Sequence, residues 1–207
     1  MKRLYIDNDI LYILASAGML GDVITLLGYT ADQVRVLPYL RHKLERHIAR
    51  FSDEHRERCL HAAEIYTALS LSDEEMERAV YIRQHCRDID EGEASLLVAL
   101  TSGDTEGTLL TTKDVRFVRA LAASDLEEKE KARRKILLPE QLLTLLYEKH
   151  GFSYLVSHFT PCREYDRRLQ IYFSVGTEES FVQALHSYAR SDAEVCHPLL
   201  VNLPLSD

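Results

Sequence analysis

Long apolar runs are missing from this chain of 207 residues, and no segment is apolar for long enough to span a bilayer. Cysteine is sparse: Cys59, Cys86, Cys162 and Cys196 are scattered, and no C-x-x-C pair occurs. That spacing argues for reduced thiols rather than a disulfide framework or a zinc ribbon. Positive charge is in deficit, with 25 Lys and Arg against 33 Asp and Glu and a net charge of −8. Broad, sequence-independent coating of nucleic acid depends on neutralising phosphates, so this balance excludes it while leaving room for a local basic rim. No H-E-x-x-H, no phosphate-cradling glycine loop and no Ser-His-Asp or Cys-His signature is present. His42 and His47, and His55 and His61 with Glu64, lack the spacing of a zinc site. There is no internal repeat and no low-complexity tract. Lys2-Arg3 before an apolar run ending at Ala17 loosely resembles a signal peptide. Asp7 and Asp9 interrupt that run, so the expectation is a cytoplasmic protein.

What is present alternates between two periods. Leu4-Tyr5-Ile6 reads as a buried strand, Ile10 to Leu20 as an apolar helix, and Asp22 to Leu27 as a second one stopped by Gly28. Val34 to Leu37 reads as the next strand, and Pro38 opens a helix from about Tyr39 to Phe51. The pattern from Ser52 to Cys86 is helical throughout, with Ser52-Asp53-Glu54 and Ser72-Asp73-Glu74-Glu75 as helix starts. Helix Glu93–Leu100, strand Thr108–Thr111 and helix Lys113–Ala122 follow, then the charged stretch Ser124–Arg134, read as solvated. Strand Lys135–Leu138 and a Pro139-initiated helix ending at Gly151 complete the rhythm. Such alternation predicts an α/β domain with a mainly parallel sheet covered on both faces. Residues 152–207 break the rhythm and read as an accessory α+β extension, with candidate strands at Ser153–Phe159 and Arg168–Val175 and a helix from Thr177.

Four carboxylates fall where open α/β folds place their sites, at the carboxyl edge of the sheet. Asp7 ends the first strand, Glu45 lies on the helix after the second, and Glu93 and Asp114 begin the two helices that flank strand 108–111. Each has an ordinary explanation when taken alone. Acids at helix starts cap them, and an acid mid-helix pairs with a neighbouring Lys or Arg. Together they could collect one hard cation. Several anions crowded together cannot all stay ionised without compensation, and an all-oxygen set suits Mg²⁺ or Mn²⁺.

The segments L-Y-I-D-N-D-I-L, V-L-P-Y-L-R-H-K-L-E, D-E-G-E-A-S-L-L-V-A-L, L-L-T-T-K-D-V-R-F and K-I-L-L-P-E-Q-L-L resemble, in order, the successive blocks of a PIN domain. The resemblance covers residues 1–151 and leaves 152–207 as an accessory segment. It implies a three-layer α/β/α domain acting as a Mg²⁺- or Mn²⁺-dependent endoribonuclease. Members of the family often serve as toxins in bacterial toxin–antitoxin modules, commonly as dimers. RNA, an antitoxin protein and a second copy are the implied partners, with no membrane. By matching blocks, the catalytic acids are Asp7, Glu45, Glu93 and Asp114, and Asp9 joins Asp7, Glu93 and Asp114 around the metal.

Two departures stand out. Asp9 replaces the small polar residue usual at its position, and Thr112-Lys113-Asp114 replaces the usual T-D-D or T-N-D. Lys113 and Arg116 are the candidate cations for a substrate phosphate, with Arg119 one turn further on. Two alternatives stay open. One is a PIN-like binding protein without turnover, in which Lys113 acts as an internal cation. The other is a haloacid-dehalogenase-type phosphatase using Asp7 as nucleophile and Asp9 as acid/base, although no late G-D-x-x-x-D follows Asp114.

Overall fold

The computed structural model describes residues 2–40, 42, 52–103, 106–174 and 176–202. Its centre is a five-stranded, all-parallel sheet in the order β3-β2-β1-β4-β5. The strands are β1 (Leu4–Ile6), β2 (Val34–Val36), β3 (Thr67–Ala68), β4 (Leu109–Thr111) and β5 (Ile136–Leu137). β1 is the middle strand, with Leu4 opposite Val34 on one side and Leu109 on the other. All three of its residues are buried, as befits a strand covered on both faces.

Alternate side chains of β1 leave on opposite faces. Leu4 and Ile6 join one apolar cluster with Val34, Val36 and Leu137, while Tyr5 joins a second with Leu110 and Ile136. The first cluster is covered by α1 (Asn8–Ser16), α2 (Leu20–Leu26), α3 (Asp53–Ile65) and α8 (Pro139–His150). The second is covered by α4 (Asp73–His85), α5 (Glu91–Thr101) and α6 (Val115–Ala123). This arrangement is compatible with a three-layer α/β/α fold. Local chemistry marks several boundaries: Ser72 and Glu75 form a reciprocal capping box on α4, and Pro139 is the first residue of α8. After α2 the chain turns at Gly28, whose φ of +73° suits glycine far better than residues with a Cβ.

The structure corrects the reading of the C-terminal part. The expected strands at 153–159 and 168–175 are helices, α9 (Phe152–Phe159) and α10 (Arg167–Ser174). The apolar residues are spaced at helical intervals, Phe152, Leu155, Val156, Phe159 and Leu169, Tyr172, Phe173, and one face of each helix is thereby buried. With α11 (Glu178–Cys196) they place Leu155, Phe159, Leu169, Tyr172, Phe173, Phe181 and Leu185 in the same cluster as Leu4 and Ile6. The β component there, among the described residues, is a single parallel bridge between Leu200 and Ile136. Two smaller corrections concern the middle of the chain. The stretch read as continuously helical contains β3, an edge strand of two exposed residues that an apolar pattern does not mark. Within 124–134 lies α7 (Glu127–Lys131), where Glu128 is buried under the fork of Arg78 at 2.6 and 2.9 Å rather than solvated. The helix expected over 39–51 falls outside the described residues apart from Tyr39, Leu40 and His42. No single helix among the described residues is long and apolar enough to cross a membrane.

Candidate active site at the strand-order switch

After β1 the chain builds outward through β2 and β3, then crosses back to place β4 on the other side of β1. The strand order therefore reverses between β1 and β4, and open α/β sheets bind ligands in the crevice outside the carboxyl ends of such strands. Asp7 follows β1 directly, and Thr112 to Asp114 follow β4. The two corners are stitched together. The Asp7 amide donates to the Thr111 carbonyl at 3.0 Å. The Thr112 hydroxyl donates to Asp7 Oδ2 at 2.9 Å and accepts the Asp114 amide at 3.1 Å. Asp114 is the N-cap of α6, its Oδ1 accepting the amides of Arg116 and Phe117 at 2.8 and 3.2 Å. Oδ2 receives the exposed Arg116 guanidinium at 3.3 Å.

The third wall is the start of α5. Asp90 and Glu93 form a capping box: Asp90 Oδ1 accepts the Glu93 amide at 2.8 Å, and Glu93 Oε2 accepts the Asp90 amide at 2.7 Å. Each cap engages one carboxylate oxygen and thereby orients the other. Between them sits Gly92. A Cβ there would lie 2.5 Å from the Tyr39 hydroxyl and 3.0 Å from Leu37 Cδ1, so the phenol rests against the bare glycine.

The electrostatics show how far these acids share one space. Burial pushes Asp7 up to about 6, and the charges of Asp9 and Asp90 add to the rise, against the hydrogen bonds from Thr112 and the Asn8 amide. Burial pushes Glu93 further, up to about 8, with repulsion from Asp90, Asp114 and Asp7. Asp114 goes the other way. Burial opposes its charge, but the amides of Phe117 and Arg116 and the Arg116 side chain outweigh that and hold it below the usual carboxylate range. Tyr39 is pushed up to about 12 by burial and by Asp90, Glu91, Asp7 and Glu93, so it remains a neutral phenol.

The predicted residues divide as follows. Glu93 comes within electrostatic reach of both Asp7 and Asp114 at the switch point. Glu45 lies outside the described residues. Asp9 stands beside Asp7 but is ion-paired with Lys113 at 3.2 Å, and the same ammonium meets Asp166 at 2.9 Å. Arg116 stands at the mouth on Asp114, whereas Arg119 turns to Asp192 at 3.5 Å. Sequence reasoning passed over Asp90, Thr112, Tyr39 and Asp166. Of these Asp90 was accessible, because Asp90-x-x-Glu93 is itself a capping-box spacing.

Among the described residues no three His, Cys, Asp or Glu side chains form a ready-made metal cage. Mg²⁺, however, keeps several waters and is commonly held by one or two carboxylates together with substrate phosphates. The donors here are all oxygens, which fits Mg²⁺ or Mn²⁺ and not a soft-metal site. Next to Asp7, the Asn8 side chain is buried with neither polar atom bonded, an arrangement that costs about 1–3 kcal/mol per unpaired group unless a partner is supplied. No protein-family model, curated protein or solved structure matches the chain.

Proposed function

We propose that this chain is a divalent-metal-dependent ribonuclease with a PIN-like domain, cleaving a phosphodiester in the crevice between β1 and β4. The observation that carries the reading is the repulsion that Glu93 feels from both Asp114 and Asp7 beside the Thr112 link between those two acids. Asp7 is pushed up to about 6 by burial, Asp9 and Asp90, and Glu93 up to about 8 by burial, Asp90, Asp114 and Asp7. Acids in that state are poised to take up a counter-charge. Asp7, Glu93 and Asp114 would hold a Mg²⁺ or Mn²⁺ ion, with Asp90 beside them and Glu45 as the further acid expected from sequence. Such an ion supplies an acidified water and neutralises charge on a phosphoryl oxygen.

The chain's own groups supply the rest. The Thr112 hydroxyl holds the Asp7 carboxylate, and backbone amides at the α5 and α6 caps hold those of Glu93 and Asp114, which limits reorganisation during reaction. Arg116 is exposed and rests on Asp114, suited to gripping a phosphate. Tyr39 sets a neutral phenol against Gly92, between the two residues of the α5 cap. RNA is the proposed substrate, and an antitoxin protein and a second copy of the chain are the proposed partners in a cytoplasmic toxin–antitoxin setting.

The test is cleavage of a structured RNA with Mn²⁺, with chelator, and with Asp7→Asn. Mn²⁺-dependent cleavage lost in the variant supports the reading. A wild type as inert as the variant, yet binding RNA, would replace it with a binding module.

A further inference from the structure

The C-terminal helices meet the turn after β4 through Asp166, which takes the Lys113 ammonium. Asp166 lies 53 positions beyond Lys113 and immediately precedes α10. Its oxygens have separate tasks: Oδ1 accepts the amides of Arg168 and Leu169 at 2.8 and 3.1 Å, and Oδ2 takes the Lys113 ammonium at 2.9 Å. The start of α10 is itself anchored, since Arg168 pairs with the buried acids Glu140 at 2.6 Å and Asp192 at 3.3 Å. Lys113 stands in sequence between Thr112, bonded to Asp7, and Asp114. Its backbone therefore lies in the crevice wall, while its ammonium is held by Asp166 and Asp9.

A lysine ammonium is a compact charge on a flexible stem, and it settles where carboxylates are least compensated. Half-buried Asp7 and buried Glu93 are such carboxylates, and neither is in an ion pair among the described residues. We propose that Asp166 is a positioning residue that holds Lys113 out of the crevice, reserving Asp7, Glu93 and Asp114 for a divalent cation in place of the protein's own ammonium. This rests on the metal reading above and gives the C-terminal segment a task at that site. Without Asp166, Lys113 becomes an internal competitor of the metal.

The experiment is a Mn²⁺ titration of the full chain, read by loss of the free-ion electron paramagnetic resonance signal. It compares wild type, Asp166→Asn, Lys113→Met and the double variant. Asparagine retains the side-chain carbonyl that caps α10, so the helix start is preserved. The expected result is Mn²⁺ affinity on the order of tenfold weaker in Asp166→Asn. In the Lys113→Met background the same substitution should change affinity by less than about twofold. Lys113→Met alone, which leaves the α10 cap untouched, should bind at least as tightly as wild type. Wild-type affinity in Asp166→Asn overturns the proposal while leaving the metal reading standing. So does an equal loss in both backgrounds, which would assign the effect to the lost negative charge itself. A wild type that takes up no Mn²⁺ overturns the metal reading and this proposal together.

Discussion

Thr112 donates a hydrogen bond from its hydroxyl to the Asp7 carboxylate across 2.9 Å and so joins the ends of the two central strands, β1 and β4. The same oxygen accepts the Asp114 amide, which makes one small side chain the link between two of the candidate ligands. Thr112→Val keeps the shape and deletes the bond. A hydrogen bond to a charged group contributes about 1.5–3 kcal/mol. Mn²⁺ affinity and RNA cleavage should each fall by about tenfold, with Thr112→Ser close to wild type. Equal behaviour of the valine and serine variants would remove the hydroxyl from the account.

Gly92 and Tyr39 form a close-packed pair. In Gly92→Ala the new methyl would meet the phenol oxygen at 2.5 Å, and something must move. Overpacking of this kind costs roughly 1–3 kcal/mol. Thermal unfolding followed by circular dichroism should report that loss. Tyr39→Phe in the same chain should restore part of it, because the clashing atom is gone. No restoration would place the strain on Leu37, the next nearest contact at 3.0 Å.

In the absence of metal, stability should fall as pH rises. Asp7 and Glu93 are raised in the folded chain to about 6 and about 8, from ordinary values of 3.8 and 4.5. Between those limits the folded state binds more protons than the unfolded one. Their favourable contribution is therefore complete below the ordinary values and is lost as pH climbs through the raised ones. The Tm of chelator-treated protein should drop between pH 5 and pH 8 (roughly that window), and Glu93→Gln should flatten the drop. Added Mn²⁺ should raise Tm more at the upper end, where the carboxylates are ionised and the site is ready. A Tm that rises with pH in the chelated protein would contradict the burial of these acids.

Arg168 stands over two acids that are almost wholly enclosed, Glu140 at 1% and Asp192 at 4% exposure. Tyr172 also donates its hydroxyl to Glu140, and Arg119 reaches Asp192. Removing one partner of a buried ion pair typically costs about 3–5 kcal/mol, because the other charge stays behind. Arg168→Met should destabilise by that order in a denaturant titration. Arg168→Met with Glu140→Gln should recover a substantial part. A single-variant cost near zero would mean that the network is open to water.

Much of this protein is decided locally. The apolar triplet Leu4–Ile6 halted by Asp7, the Ser72–Glu75 and Asp90–Glu93 caps, Pro139 at a helix start and Gly28 after another each depend on residues within one turn of each other. Their spacing alone specifies an alternating α/β chain with acids at strand and helix ends. The helices α9 and α10 were equally local in their period, yet short apolar stretches read as strand or helix until burial on the Leu4–Ile6 face selects one. β3 exists because β2 offers it a partner, so two exposed residues could not announce it. Only the tertiary fold decided which charges meet. Lys113 looked like a cation beside the metal ligands until Asp166, far along the chain, took its ammonium. Coulomb energy depends on distance in space, and separation along the sequence carries no such information until the chain has packed.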